Sequence, residues 1–263
     1  MFDALYIGAT AMQAQQLNVD TVANNLSNVN TNGYKKGRVS FTDLMTSEAA
    51  RLGPGAGQGT APLDPTLSVG AGVGVASLGK LFDQGTNVQT SSPWDIAIQG
   101  DGFIAVTQPD GSTAYARGGT LKVNADGLLA TRAGQPLKPG LAVPANATAI
   151  AIATDGSVSA TVPGQSGTVS LGQLQLVRFA NSAGLTAQGD GLYRASTDSG
   201  EPIAGEAGQA GIGTLQQGFL EGSNVKMVDE MVNLMVAQRA YEASVKVVQA
   251  SDEMLGMVNN LRK

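Results

Sequence analysis

Apolar residues recur at helical spacing at the two ends of the chain and in short alternating runs between them. Leu5, Met12, Val19 and Leu26 fall on a strict seven-residue spacing, flanked by Phe2, Ala9, Val22 and Val29, which predicts one amphipathic helix from 2 to about 28. Its other sides carry Gln13, Gln15, Gln16, Asn18 and Asp20, and the pattern stops in an Asn-rich stretch ending at Asn32-Gly33, a dipeptide that tolerates positive φ. The far end repeats the pattern more strongly. Met227, Leu234, Tyr241, Val248 and Leu255 share one heptad register, with Met231, Ala237, Val245 and Val258 beside it. Ser223 or Asn224 would cap this second helix, Asp229 and Glu230 lie in its early turns, and Arg262 and Lys263 suit its negative end. About 35 residues make a rod of roughly 50 Å, long enough to need a partner surface.

Between the ends, turn signals stand at Asp110-Gly111, Asp126-Gly127, Asp155-Gly156 and Asp190-Gly191. They separate candidate strands at 94–99, 103–107, 120–124, 148–153 and 172–179, with no helical pattern interrupting them. Residues 45–75 are rich in Gly, Pro, Ala and Thr with weak periodicity, and read as an extended or flexible connection with a functional contact. The fold expected is α+β: a discontinuous, coiled-coil-like helical domain from both chain ends (1–44 and 218–263), the connecting segment 45–75, and a central all-β domain at 76–217.

Composition narrows the chemistry. The 263 residues include no Cys and no His, which removes disulfides, thiolate nucleophiles, the usual zinc ligands and the commonest general base. No cofactor and no metal is expected. A formal charge of -5 without a basic block disfavours nucleic acid, and no apolar run reaches the length of a membrane span. The N-terminus lacks the pattern of a cleaved secretion signal. Gly70, Gly72 and Gly74, and Gly100 and Gly102, are glycine runs outside the strand-turn-helix setting of a phosphate loop, and read as turns. Asn124, Asp126 and Gly127 echo a calcium loop but lack its downstream Glu. The pairs Asp229/Glu230 and Asp252/Glu253 would solvate a polar helix face, and a catalytic carboxylate pair across a cleft has no support in the sequence. Two helices with narrow seams and no third helix leave Met, Val and Ala surface uncovered, which predicts lateral packing of identical copies.

The string ANNLSNVNTNGYK at 23–35 resembles the N-terminal signature of bacterial flagellar rod and hook proteins, carried by Asn24, Asn25, Leu26, Asn28, Thr31, Gly33, Tyr34 and Lys35. GFLEGSNV at 218–225 and Gln238, Arg239, Ala240, Tyr241 and Glu242 are similar to the closing segment of that family. SPWDIAIQGDGFIAV (92–106) and AYARGGTLKVNADGLL (114–129) resemble its β-domain, with Gly118 standing where Asp is common. Length and the continuous middle are most similar to the distal-rod branch, the alternatives being a proximal-rod paralogue or a hook-type subunit.

The resemblance implies a structural, non-enzymatic subunit that polymerises helically into a tubular drive shaft, with terminal helices inside and β-domains outside. It implies self-association and contact with proximal rod proteins, the hook and the surrounding P and L rings. It also implies a rod lying in the periplasm and export through the flagellar type III apparatus. Leu5, Met12, Val19 and Leu26 are then expected to pack against Met227, Leu234, Tyr241, Val248 and Leu255, within one subunit and between neighbours. Asn24, Asn25, Asn28, Gly33 and Tyr34 are assigned to the turn out of the helix and to subunit contacts.

Overall fold

The computed structural model describes residues 2–47, 68–163 and 167–260. The chain divides into two compact units, one comprising Met1–Ser27, Gly37–Gly79 and Lys226–Lys263, the other Asn28–Lys36 and Lys80–Val225. Residues 28–36 and 218–225, placed with the helices in the sequence reading, thus belong to the central unit, and residues 37–44 belong with the helices.

The first unit holds α1 (Phe2–Ser27) and α2 (Met227–Asn260), which pack along each other. The pair is antiparallel: Gly8 lies against Val248 near one end, and Asn25 meets Glu230 near the other. A Cβ at position 8 would stand 2.5 Å from Val248 Cγ2, so glycine sets how closely the helices approach. At 1.5 Å per residue, the 34 residues of α2 span about 51 Å. Asp229 and Glu230 occupy its first turn, where carboxylates meet the positive end of the dipole. The expected cap is corrected. Helix begins only at Met227, Ser223 Oγ accepts from the Val225 amide, and the Asn224 side chain is engaged elsewhere. Arg262 and Lys263 lie outside the described residues.

The within-chain seam is also corrected in part. Leu5, Met12, Val19 and Leu26 on α1 are half-buried, as are Leu234, Val248 and Leu255 on α2, but Met227 and Tyr241 stay exposed at 45% and 39%. The most buried positions are Ala14, Val22 and Asn25 on α1 and Glu230, Ala237 and Ser251 on α2. Small or polar residues thus fill most of the deeply buried positions of the contact.

Two strands complete this unit, β1 (Gly37–Ser47) and β2 (Ser68–Lys80), paired with each other. The segment 45–75, read as an extended or flexible connection, carries strand at both its ends, while 48–67 lie outside the described residues. Gly70, Gly72 and Gly74 sit within β2 and not in a turn. At Gly72, with φ +115, a side chain would strike Thr10 of α1, and Thr10 Oγ1 accepts from the Val73 amide at 3.4 Å.

The central unit is all β. Six strands form one antiparallel sheet, β13 (Thr186–Gly189), β14 (Leu192–Arg194), β6 (Thr113–Ala116), β5 (Phe103–Thr107), β12 (Leu176–Arg178) and β15 (Ile203–Gly205), in that spatial order. A second sheet orders β16 (Thr214–Gln217), β4 (Asp95–Gln99), β7 (Gly118–Val123) and β8 (Leu129–Thr131). A third joins β11 (Thr168–Gln173), β10 (Ser157–Thr161) and β9 (Ala149–Ile152), and β17 (Phe219–Glu221) pairs with β3 (Asn87–Gln89). The four Asp-Gly signals all fall at turns, with positive φ at Gly111, Gly127, Gly156 and Gly191. At the Asn124 turn the side-chain Oδ1 accepts from the amides of Asp126 and Leu128, a hairpin and not a cation loop.

Strand β5 is buried on both faces, which is why it reads as a continuous apolar run. Ile104 and Val106 enter the main core with Ile96, Ile98, Leu129 and Leu176, while Phe103 and Ala105 enter a second cluster with Tyr115, Phe179 and Tyr193. One expected strand is divided. The run 172–179 splits into β11 and β12 in different sheets, because Gly172 adopts φ +134 and Leu174 turns to pack in the core with its amide on Gly156 O.

Candidate assembly surface and its supporting polar contacts

Helix α2 carries two heptad rows, and only one is covered by α1. The uncovered row alternates steps of four and three residues through Val236, Ala240, Ala243, Val247, Ala250, Met254 and Met257. Every member is apolar. Val236, Val247, Met254 and Met257 are 46–63% exposed, Ala243 and Ala250 are exposed, and Ala240 is half-buried. Nearer the start of α2, Val228, Met231, Val232 and Met235 form a second exposed apolar group at helical spacing. The covered row, by contrast, contains Glu230, Ser244 and Ser251. The uncovered row is therefore the more uniformly apolar of the two, although exposed charged residues such as Arg239, Glu242 and Lys246 flank it.

The C-terminal motif belongs to this exposed part of α2. Gln238, Arg239, Tyr241 and Glu242 are exposed, and the contact of Arg239 Nη1 with Glu242 Oε2 at 2.8 Å is an open i,i+3 pair, worth well under about 1 kcal/mol. Its structural contribution to the single chain is small.

The N-terminal motif is divided between the units. Asn25 is 1% exposed: its Nδ2 donates to Gly37 O at 2.9 Å and to Glu230 Oε2 at 3.2 Å, and its Oδ1 accepts from the Gly37 amide at 2.8 Å. This corrects two expectations, since Asn25 works inside its own chain and Glu230 is wholly buried instead of solvating a polar face. A buried polar pair at one end of a helix pair pins its register. Asp229, Asp252 and Glu253 are exposed as expected.

Residues 28–35 form a turn of the central unit. Thr31 Oγ1 donates to Asn28 Oδ1, the Tyr34 amide donates to Thr31 O, and Gly33 adopts φ +71 while its amide donates to Glu221 O at 2.7 Å. Lys80 Nζ sits 4.4 Å from the centre of the Tyr34 ring. Lys35 is buried and donates from Nζ to Glu221 Oε1 at 2.7 Å and to Asp83 O at 2.8 Å. Arg117, also buried, donates from Nε to Glu221 Oε2 at 3.2 Å and from Nη1 to Gly102 O at 2.8 Å. Burial pulls the Lys35 ammonium below its ordinary value, and the Glu221 carboxylate works in the opposite direction. Breaking such a buried pair costs about 3–5 kcal/mol, several times the surface pair on α2.

Glu221, Arg117 and Asn224 escape a reading of the sequence alone, although each lies in a string that resembles the family. The available signal is charge placed next to apolar strand residues, as in AYARG and GFLEG, in a chain only 14% charged.

A groove of about 780 Å³ in the central unit is lined by Tyr34, Lys80, Arg132 and Tyr193, with Arg117 and Glu221 in its wall. Glu221 is committed to Lys35 and Arg117, so the groove offers Asp190 alone as a further carboxylate. Among the described residues there is no cluster of three or more His, Cys, Asp or Glu able to hold a metal, and no helix long and apolar enough to cross a membrane.

Three family models match. The flagellar basal body rod model covers residues 5–35, the flagellar hook protein FlgE/F/G D1 domain covers 97–160, and the flagellar basal body rod FlgEFG C-terminal model covers 216–261. The chain is 43% identical over 266 residues to the flagellar basal-body rod protein FlgG of Borreliella burgdorferi, spanning all of both chains. It is 39% identical to FlgG of Caulobacter vibrioides over 98% of this chain and 99% of the relative. To FlgF of the same bacterium it is 31% identical, over 97% and 95%. The chain belongs to the bacterial flagellar basal-body rod and hook protein family. It is a structural subunit of the basal-body rod, of the FlgG type, and its place is the flagellar basal body.

Proposed function

We propose that this subunit polymerises helically through its terminal helices into the distal part of the rod, a rigid tube that carries torque toward the hook. The uncovered heptad row on α2 is the observation that carries this reading: seven successive seam positions are apolar and await another helix. A second copy fits it best, since a rod subunit is surrounded by copies of itself and the row carries no charge to repel an identical neighbour. Tyr241 and Met227, exposed in the single chain, belong to the same intersubunit surface. The terminal helices form the inner tube in a coiled-coil-like packing, and the β unit forms the outer layer. Proximal rod proteins, the hook and the surrounding rings are the neighbours, in the periplasm, after export through the flagellar type III apparatus. Residues 45–75 contact adjacent subunits or a ring. The comparison within Caulobacter vibrioides, 39% to FlgG against 31% to FlgF, favours the distal over the proximal reading.

The test is Val247→Asp, with Tyr241→Asp as a second variant. Both side chains are exposed, so the monomer keeps its helical circular dichroism, whereas a charge buried in a seam costs several kcal/mol at every copy. Strains carrying either variant are expected to make truncated rods. Leu234→Asp is less informative because Leu234 is half-buried and the change would disturb the monomer too. Normal rods with Val247→Asp would remove the proposed seam.

A further inference from the structure

The chain crosses between its two units at four places, after Ser27, Lys36, Gly79 and Val225. Inside the central unit, the residues next to three of these crossings converge on one cluster. Glu221 Oε1 accepts from Lys35 Nζ at 2.7 Å and from the Gly85 amide at 2.9 Å, its Oε2 accepts from Arg117 Nε at 3.2 Å, and its carbonyl accepts from the Gly33 amide at 2.7 Å. Asn224, three residues on, repeats the arrangement: Oδ1 accepts from the Lys36 amide at 2.7 Å, and Nδ2 donates to Leu81 O at 2.9 Å and Asp83 O at 3.0 Å. Lys80 Nζ donates to Lys35 O at 3.0 Å, closing the ring of contacts. A side chain at Gly85 would overlap Gly222 O, so glycine lets the second and third segments touch.

We propose that Glu221, held between Lys35 and Arg117 and assisted by Asn224, is the anchor by which the central unit grips the chain segments that enter and leave it, and so a positioning residue for force passing along the chain. This rests on the rod reading above only in its mechanical part. Stability alone is a poor reason for the arrangement, because replacing a buried ion triad with packed apolar side chains often leaves a protein as stable or more so. What an apolar cluster lacks is direction. A carboxylate that accepts from two cations and a backbone amide fixes three segments at defined angles, and such a bridge yields only when several charge-assisted bonds break together.

The experiment compares the wild-type full chain with Glu221→Gln and with the triple variant Lys35→Met, Arg117→Met, Glu221→Leu, by amide hydrogen exchange. In both variants the Gly85 and Lys36 amides are expected to exchange at least tenfold faster relative to Ile96 and Ile98 in strand β4, and in the triple variant Ile96 and Ile98 keep wild-type protection and the melting temperature changes little. Wild-type exchange at Gly85 and Lys36 in the triple variant would overturn the proposal by showing that packing alone holds the segments. If the triple variant does not fold, Glu221→Gln decides in the same way. Expressed in place of the wild type, the triple variant is expected to build full-length rods that swim poorly in viscous medium. Unimpaired swimming at high viscosity would refute the mechanical part, and absence of any effect of deleting the whole chain on rods would instead refute the rod reading.

Discussion

At the scale of single residues, two glycines show how differently the same residue is used. Gly33 adopts φ +71 with nothing within 4 Å of the place a methyl would take, so its requirement is conformational. Gly33→Ala is expected to cost about 1 kcal/mol, the usual penalty for a left-handed alanine. Gly118 combines φ +110 with a Cβ position 2.6 Å from Ile96 O in the neighbouring strand. There strain and backbone overlap add, and Gly118→Ala is expected to cost at least about 3 kcal/mol. Chemical denaturation of the two variants checks the order, and equal costs would show that the overlap relaxes freely. Tyr193 supplies a pH dependence. Burial, foremost, and the Glu221 carboxylate push its phenol from 10.0 up to about 12. Between these values the unfolded chain has lost the proton that the folded chain keeps, so stability falls as pH rises from 10 to 12, by about 2–3 kcal/mol at most. Burial raises Tyr115 as well and adds in the same direction. Tyr193→Phe is expected to flatten most of this alkaline slope in urea titrations, and an unchanged slope would assign it elsewhere.

At the scale of elements, the helix pair is held in register by unlike contacts near its two ends: Gly8 against Val248, where shape decides, and Asn25 with Glu230, where hydrogen bonding decides. Asn25→Ala leaves buried partners at Gly37 and Glu230 short of a bond and is expected to destabilise the helical unit by about 2–4 kcal/mol. The helical circular dichroism signal followed through a denaturant titration measures it, and a loss under about 0.5 kcal/mol would contradict the role given to this pair. Both helices are legible in the sequence because their periodicity is long and uninterrupted, and the turns because Asp-Gly announces positive φ locally. The depth of burial along a row is not legible. Periodicity finds the row but not how deeply each of its members is covered, so Met227 and Tyr241 stay exposed in the same register as the half-buried Leu234, Val248 and Leu255. Strands β1 and β2 are partly hidden for a related reason. Glycine in β2 removes the side chains that carry a strand pattern, and its cause, the approach of α1 at Thr10, lies more than sixty positions away in the chain.

At the scale of the whole molecule, low charge, many glycines and exposed apolar helix faces fit a subunit whose native surroundings are other proteins. A single chain in water leaves Val236, Val247, Met254 and Met257 wet, a cost that the proposed lateral assembly would remove in every copy at once. The sequence resemblance reaches the family through short strings at both ends and in the middle, but the residues that organise the central unit, Glu221, Arg117 and Asn224, emerge only when strands distant in sequence come together.

Electron microscopy of basal bodies from the source bacterium lacking this chain, beside a complemented strain, tests the central claim most directly. Basal bodies ending in a truncated rod, with no hook, and full-length rods restored by the intact chain, are the predicted result. Complete rods lacking only hooks would move the chain to the hook, and fully assembled flagella would contradict the assignment to the rod altogether.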